Sequence, residues 1–378
     1  METIGDRIRY WRQRRGGISQ QVLADRVGVT RNYVSMVEAG KRSVDRRSTL
    51  AAFAEALQVR VEELTGASEP GDPVRERAAA PVPAIRRALI LREAGEVEDP
   101  PPGGLARAWR LHAAADHAAL APILPGLLSG ARGPDLVGAC LMTVFCCLAL
   151  GEPDLARDAA RLATATAGGL GDPVLAGVAA FARTHAYPAD TARLAARDAA
   201  ASADALQPAL GQGRPVRDLH GMLHLTAALR LAAADQPSDV DRHLDEAAAH
   251  AAELGEPDGP GYACLAFGPT NVRVWRALVA TELGDPDRAL AAIDGVEVRV
   301  LPTPRRRAAA HVEHGRALAA LGRDDDATIE FLRAEQESPL LVRFDPVVRD
   351  AVAAIRVRTR DAAVSRPLRR LCTALDLP

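Results

Sequence analysis

Residues Gly28–Arg42 read GVTRNYVSMVEAGKR, and this stretch decides the fold of the amino-terminal region. Thr30 is placed to cap a helix N-terminus through its hydroxyl. At about 100° per residue, Val34 and Val37 fall on one side of that helix. Arg31, Asn32 and Ser35 gather on the other, with Met36 at the edge of the polar face. Gly40 supplies the C-terminal stop. The result is a short helix with a thin apolar stripe and an outer face led by a guanidinium and a carboxamide. Those two groups bond guanine and adenine edges in a duplex major groove.

The flanks agree. SQQVLADRVG, Ser19 to Gly28, is a second capped helix with Val22, Leu23 and Val27 as its inner side. Only Gly28-Val29 connects it to Thr30, which makes a tight turn. Upstream, IGDRIRYWRQRR carries Ile4, Ile8 and Trp11 at helical spacing. Downstream, STLAAFAEALQVRVEELTG gives a fourth helix with Leu50, Phe53, Ala54 and Leu57, and a fifth ending at Leu64. Five short helices in residues 1–66 make a domain of their own.

This stretch resembles the phage-repressor, or xenobiotic-response-element, type of helix-turn-helix domain. The resemblance is carried by Ser19-Gln20, Leu23-Ala24, Val27-Gly28-Val29-Thr30, Val34-Ser35, Val37-Glu38 and Gly40-Lys41-Arg42. Thr49-Leu50, Ala54, Ala56-Leu57 and Val59 extend it. It implies that the third helix enters the major groove N-terminus first. By position, Arg31, Asn32, Ser35 and Met36 then face bases, and Gln20, Tyr33, Lys41 and Arg42 hold phosphates. It also implies a structural pair between Glu38 and an arginine of the first helix, for which Arg12 is the candidate. Met36 departs from the polar residue usual at that place, and Gly16-Gly17 adds a residue between the first two helices.

The 378 residues suit two or three domains. Lys41 is the single lysine among 47 basic residues, the mark of an arginine-biased coding background. The net charge of −2 hides an asymmetry: residues 1–66 sum to +4 and the remainder to −6. A basic head on an acidic body fits one nucleic-acid-facing domain. Arg7, Arg9 and Arg12 interrupt any secretion signal, and the uncharged run from Leu136 to Gly151 is shorter than the roughly 20 residues of a bilayer span. Cysteines 140, 146, 147, 264 and 372 form no CxxC pair, which points to reduced core thiols in the cytoplasm.

ASEPGDPVRERAAAPVP, Ala67 to Pro83, holds four prolines and no apolar period, so 67–83 reads as a linker. Beyond it, 84–378 is rich in Ala, Leu and Arg, with Gly, Pro and Asp at helix-length intervals. Three echoes recur: LGEPDLARDAA from Leu150, LGDPDRALAAI from Leu283 and LGRDDDATIEF from Leu321. Each joins one helix to the next, and the last two lie 38 residues apart, near the roughly 34-residue tetratricopeptide period. Helix pairs are expected at 134–168, 173–206, 215–254, 269–296 and 303–337, with capping helices near 345–357 and 366–376. The region resembles a degenerate tetratricopeptide array. The fold expected is all-α: a five-helix helix-turn-helix domain followed by a tetratricopeptide-like α-solenoid.

Stacked helix pairs form a concave binding surface. The segment YACLAFGPTNVRVWRALVATELG, Tyr262 to Gly284, brings Asn271, Arg273, Trp275 and Arg276 onto one helix after an aromatic, Gly-Pro-rich loop. A carboxamide can bond an extended peptide and arginines can hold a carboxylate, so these four are the candidate ligand residues. The pairs His220/His224 and His311/His314 lack a third ligand for a metal. No phosphate-binding loop, nucleophile elbow or catalytic pair emerges, and no cofactor is expected.

The chain therefore reads as a cytoplasmic, non-enzymatic regulator of transcription. It would bind double-stranded DNA as a homodimer on an inverted-repeat operator and sense a peptide or small molecule, without membrane association. The alternative is an interaction protein whose repeats dock a protein partner while the head only localises it.

Overall fold

The computed structural model describes residues 3–66, 73–97, 103–359 and 365–377. Among them every regular element is a helix. The head is built from α1 (Ile4–Arg14), α2 (Gln20–Val27), α3 (Arg31–Glu38), α4 (Arg47–Leu57) and α5 (Val61–Thr65). Local chemistry sets the ends. The Thr3 hydroxyl accepts from the Asp6 N–H, and the Asp6 carboxylate accepts from the Thr3 N–H, a reciprocal capping box. Ser19 accepts from Val22 N–H and Thr30 from Tyr33 N–H. Gly28 stands between α2 and α3 at φ 77°, a left-handed conformation that lets the chain turn within three residues.

Ile8, Leu23, Val34, Val37, Phe53, Leu57 and Leu64 form the head core with almost no exposure. Each such side chain contributes about 1.5–3 kcal/mol by leaving water. Gly5 permits close contact of α1 with α3, since a Cβ there would come within 1.9 Å of the Val37 carbonyl oxygen.

The chain divides into two compact units. The first comprises Met1–Glu69, Arg276–Gly295 and Ala308–Pro378, and the second comprises Pro70–Trp275 and Val296–Arg307. In the first unit the head is joined by helices Asp324–Glu337, Pro339–Phe344, Pro346–Arg358 and Arg366–Ala374. Phe331, Val342, Val348, Val352, Ile355, Leu368 and Leu371 make their shared core.

The second unit is a succession of neighbouring helices, each packed on the next: Gly133–Leu150, Pro153–Leu170, Pro173–Ala186, Ala192–Leu206, Arg214–Ala233 and Val240–Leu254. These match the expected helix pairs. The three echoed turns all carry a left-handed glycine: Gly151 at φ 82°, Gly284 at φ 76° and Gly322 at φ 76°. Helix Gly133–Leu150 is long and apolar enough to cross a membrane, yet 67% of it is buried inside the protein. It packs against the two helices that follow, and this explains an apolar surface on every side.

Residues 67–72 of the stretch read as a linker lie outside the described residues. The rest is helical, with Pro73–Ala79 followed by a helix from Val82. Proline opens the first of these, and Ala78 is its sole buried residue, so no apolar period betrayed it.

Candidate nucleic-acid interface

The core fixes how α3 faces outward. Val34 and Val37 are buried, and Arg31, Asn32 and Ser35 are exposed on the opposite side. The three polar residues expected at base edges therefore share one accessible face. Met36 is half-buried at its rim, where the Asn32 amide reaches its sulfur at 3.7 Å. After α3, Gly40 turns the chain at φ 66°, and the Lys41 and Arg42 N–H groups both donate to the Met36 carbonyl at 2.9 and 3.3 Å. Their side chains are exposed on this fixed turn.

Tyr33 is half-buried, stacked on Phe53 with ring centroids 6.5 Å apart, and the Arg42 guanidinium lies 5.0 Å from its ring. Burial first, and the Asp45 charge second, push its phenol pKa upward, so the hydroxyl stays protonated. Gln20 is also half-buried, and its amide nitrogen donates to Glu38 Oε2 at 2.9 Å. A second amide proton remains for another acceptor.

Glu38 is the hub behind this face. It is 4% exposed and takes a two-pronged contact from Arg12, Nε to Oε1 at 2.6 Å and Nη2 to Oε2 at 2.8 Å. Arg12 Nη1 also donates to the Ile18 carbonyl at 2.8 Å. One carboxylate thus holds α1, the start of α2 and the end of α3 in register. The Glu38 hydrogen bond raises the Arg12 pKa further.

Long-range contacts within the first unit support the same region. Asp350 accepts from Ile4 N–H at 3.2 Å through one oxygen and from Val44 N–H at 2.8 Å through the other. Burial pushes its pKa up to about 7, opposed by those two N–H groups. Glu282, fully buried, accepts from the Arg47 N–H at 2.8 Å and from Arg47 Nη1 at 3.1 Å, and its carbonyl accepts from Arg46 Nε at 2.8 Å. Arg316 pairs with Glu313 and donates to the Asp45 carbonyl at 2.6 Å. Arg358 donates to the Lys41 carbonyl at 3.1 Å while gripping Asp324. The sequence gives no local signal of these contacts, because each partner lies more than two hundred residues from the head.

The four candidate ligand residues separate. Asn271 is fully buried: its amide nitrogen donates to the Leu265 carbonyl at 3.3 Å, and its oxygen accepts from Arg306 Nη2 at 2.5 Å. Trp275 shares that helix face and lines a cavity of the second unit. Arg273 is exposed on the other side, and Arg276 falls in the first unit. An i,i+4 pair shares a face and an i,i+2 pair does not, which is why the set divides.

The histidine pairs are built into packing. His311 Nδ1 lies 2.7 Å from Glu330 Oε2, with His314 at 3.6 Å. His220 and His224 join His243 and His250 across helices Arg214–Ala233 and Val240–Leu254. No group of three or more potential metal ligands is arranged for an ion among the described residues. All five thiols are free, and burial pushes Cys140 and Cys147 up to about 12.

No curated protein sequence matches the chain. Among solved structures, the crystal structure of Bacillus thuringiensis PlcR in complex with the peptide PapR7 and DNA is similar. It has 13% identity and a TM-score of 0.33, covering 89% of this chain and 95% of that one. A family model described as a helix-turn-helix domain matches residues 3–65. Residues 3–65 are therefore a helix-turn-helix domain, with α2 and α3 as its two central helices.

Proposed function

We propose that this chain is a sequence-specific DNA-binding regulator of transcription. The observation that carries the reading is the exposed face of α3, Arg31, Asn32 and Ser35, backed by buried valines and followed by Lys41 and Arg42 on a fixed turn. In this reading Arg31, Asn32, Ser35 and Met36 meet base edges, and Gln20, Tyr33, Lys41 and Arg42 meet phosphates. Such division of labour separates sequence choice from affinity. The head's charge of +4 supports only weak salt-sensitive binding by one copy. Two copies would place their heads about 34 Å apart on an inverted repeat, so the chain acts as a homodimer.

The remainder of the chain senses an effector, a peptide or small molecule, rather than catalysing a reaction. Of the four residues expected to hold it, Trp275 lines a cavity, which supports a role for it, and Asn271 braces the backbone nearby. The effector must favour one of two states of the regulator to alter DNA binding. Capture of genomic fragments by the purified full chain tests the proposal. It should enrich one motif with two related half-sites. No preference for any fragment over scrambled duplex overturns it.

A further inference from the structure

We infer that the second unit encloses a binding site for a compact monocarboxylate with an apolar body, whose carboxylate is met by Arg305. The inference rests on the reading of this part of the chain as the sensor and names the chemistry it would sense.

One cavity has a volume of about 40 Å³ and is lined by His112, Phe145, Phe181, His185, Trp275 and Arg305 among others. This exceeds the roughly 15 Å³ that one water needs. The Arg305 guanidinium sits 4.6 Å from the Phe145 ring centre, and its Nη1 lies 3.2 Å from His112 Nε2. Among the described residues no carboxylate forms an ion pair with it. Burial lowers its pKa, opposed by Cys264. Arg305 is half-buried with no acid beside it, and a cation drawn partly out of water is ordinarily paired, so it is open to an anion.

The neighbouring groups are also donors. His112 is buried and held neutral by burial and by the Arg305 charge. Accepting from Arg305 through Nε2 leaves its proton on Nδ1, and that atom has no hydrogen-bond partner. The indole Nε1 of Trp275 is likewise buried without a partner. A chamber with a cation and two idle N–H donors is complementary to an acceptor-only group of negative charge.

A second chamber of about 430 Å³ shares Ala263 and Cys264 with the first. Leu105, Trp109, Val137, Val178 and Tyr262 give it apolar walls. Its volume is in the range of small-molecule sites, roughly 300–1,000 Å³. Asp135 also lines it, which opposes an anionic group there and orients the acid inward. The shared wall is unusual backbone: Ala263, Cys264 and Ala266 adopt φ of 50°, 57° and 52°. Left-handed non-glycine residues are strained and cluster where chains clamp ligands. The Asn271 amide, bonded to the Leu265 carbonyl, holds this wall in place.

Calorimetric titration of the full chain with decanoate and 4-phenylbutyrate, each against its neutral amide, tests the site. The acids should bind at least tenfold more tightly than the amides. Arg305→Gln should erase that preference, and Val178→Trp should abolish binding of both. Equal affinity for acid and amide, or no binding by either acid, overturns the inference, and the wild-type comparison does so without relying on a variant that folds. Parallel titration with an enriched DNA fragment separates the two proposals: the acid site fails or stands whether or not the head prefers a sequence.

Discussion

Arg31 and Lys41 are both exposed cations beside the same helix, yet they should fail differently when removed. Arg31→Ala is expected to cost about 1–3 kcal/mol on the preferred duplex and to relax the preference at one position. Lys41→Ala should weaken all duplexes alike and reduce the salt slope by about one. Anisotropy titrations over a salt series distinguish them, and equal uniform losses would remove Arg31 from base reading. Glu38→Ala should lower the melting temperature of the first unit, with a cost of about 3 kcal/mol from stranding Arg12 and Gln20; an unchanged melt would demote this hub. The outer face of α3 was legible because 3.6-residue periodicity separates Val34 and Val37 from Arg31, Asn32 and Ser35. The Arg12–Glu38 pair was legible only through the resemblance. Arg305 was not legible at all, since nothing local marks an arginine as lacking an acid.

Helices and their ends were the most readable level. Thr30, Ser19, Gly28 and the echoed glycines each act through local geometry, so the spans follow from the residues themselves. Contacts between elements are less readable. The approach of α1 to α3 depends on Gly5, and Gly5→Ala should unfold or displace α1, seen as lost helical signal and a lowered melt. Asp350 couples α1 to the segment after α3 and titrates near 7. A carboxyl raised in the folded state retains a proton that the unfolded chain has released above about pH 4. Its contribution to stability therefore declines from about pH 4 to 7 and is constant above. The difference in melting temperature between wild type and Asp350→Asn should narrow or reverse across that window if this carboxyl is responsible. A pH-independent difference would assign the contact to hydrogen bonding alone.

At the scale of the whole chain, sequence order misleads. The reading into a head and one following body does not anticipate that residues 276–295 and 308–378 cluster with the head. Such association depends on buried carboxylates, Asp350 and Glu282, whose partners are remote in sequence. The second unit carries an opposite pH signature. His220 and His224 are pushed down to about 4 and about 3 by burial and by neighbouring histidines, and His243 is lowered by burial and Arg242. Asp204, Asp239 and Glu246 oppose that shift only in part. The unfolded chain takes up protons first on acidification, so this unit loses stability as the pH falls below about 6.5. Scanning calorimetry at pH 7.5 and 5 should show its transition move down, and His224→Leu should flatten the response.

The grip of Asp350 on Ile4 and Val44 bears on how this regulator could be re-engineered. A reader domain is commonly treated as a portable cassette, cut at the first proline-rich stretch and fused to a new receiver. Here the cut would strip two buried amides of their acceptor and bare the surface that Glu282 and Arg316 now cover. A functional chimera should therefore transplant the carboxy-terminal helices together with the head.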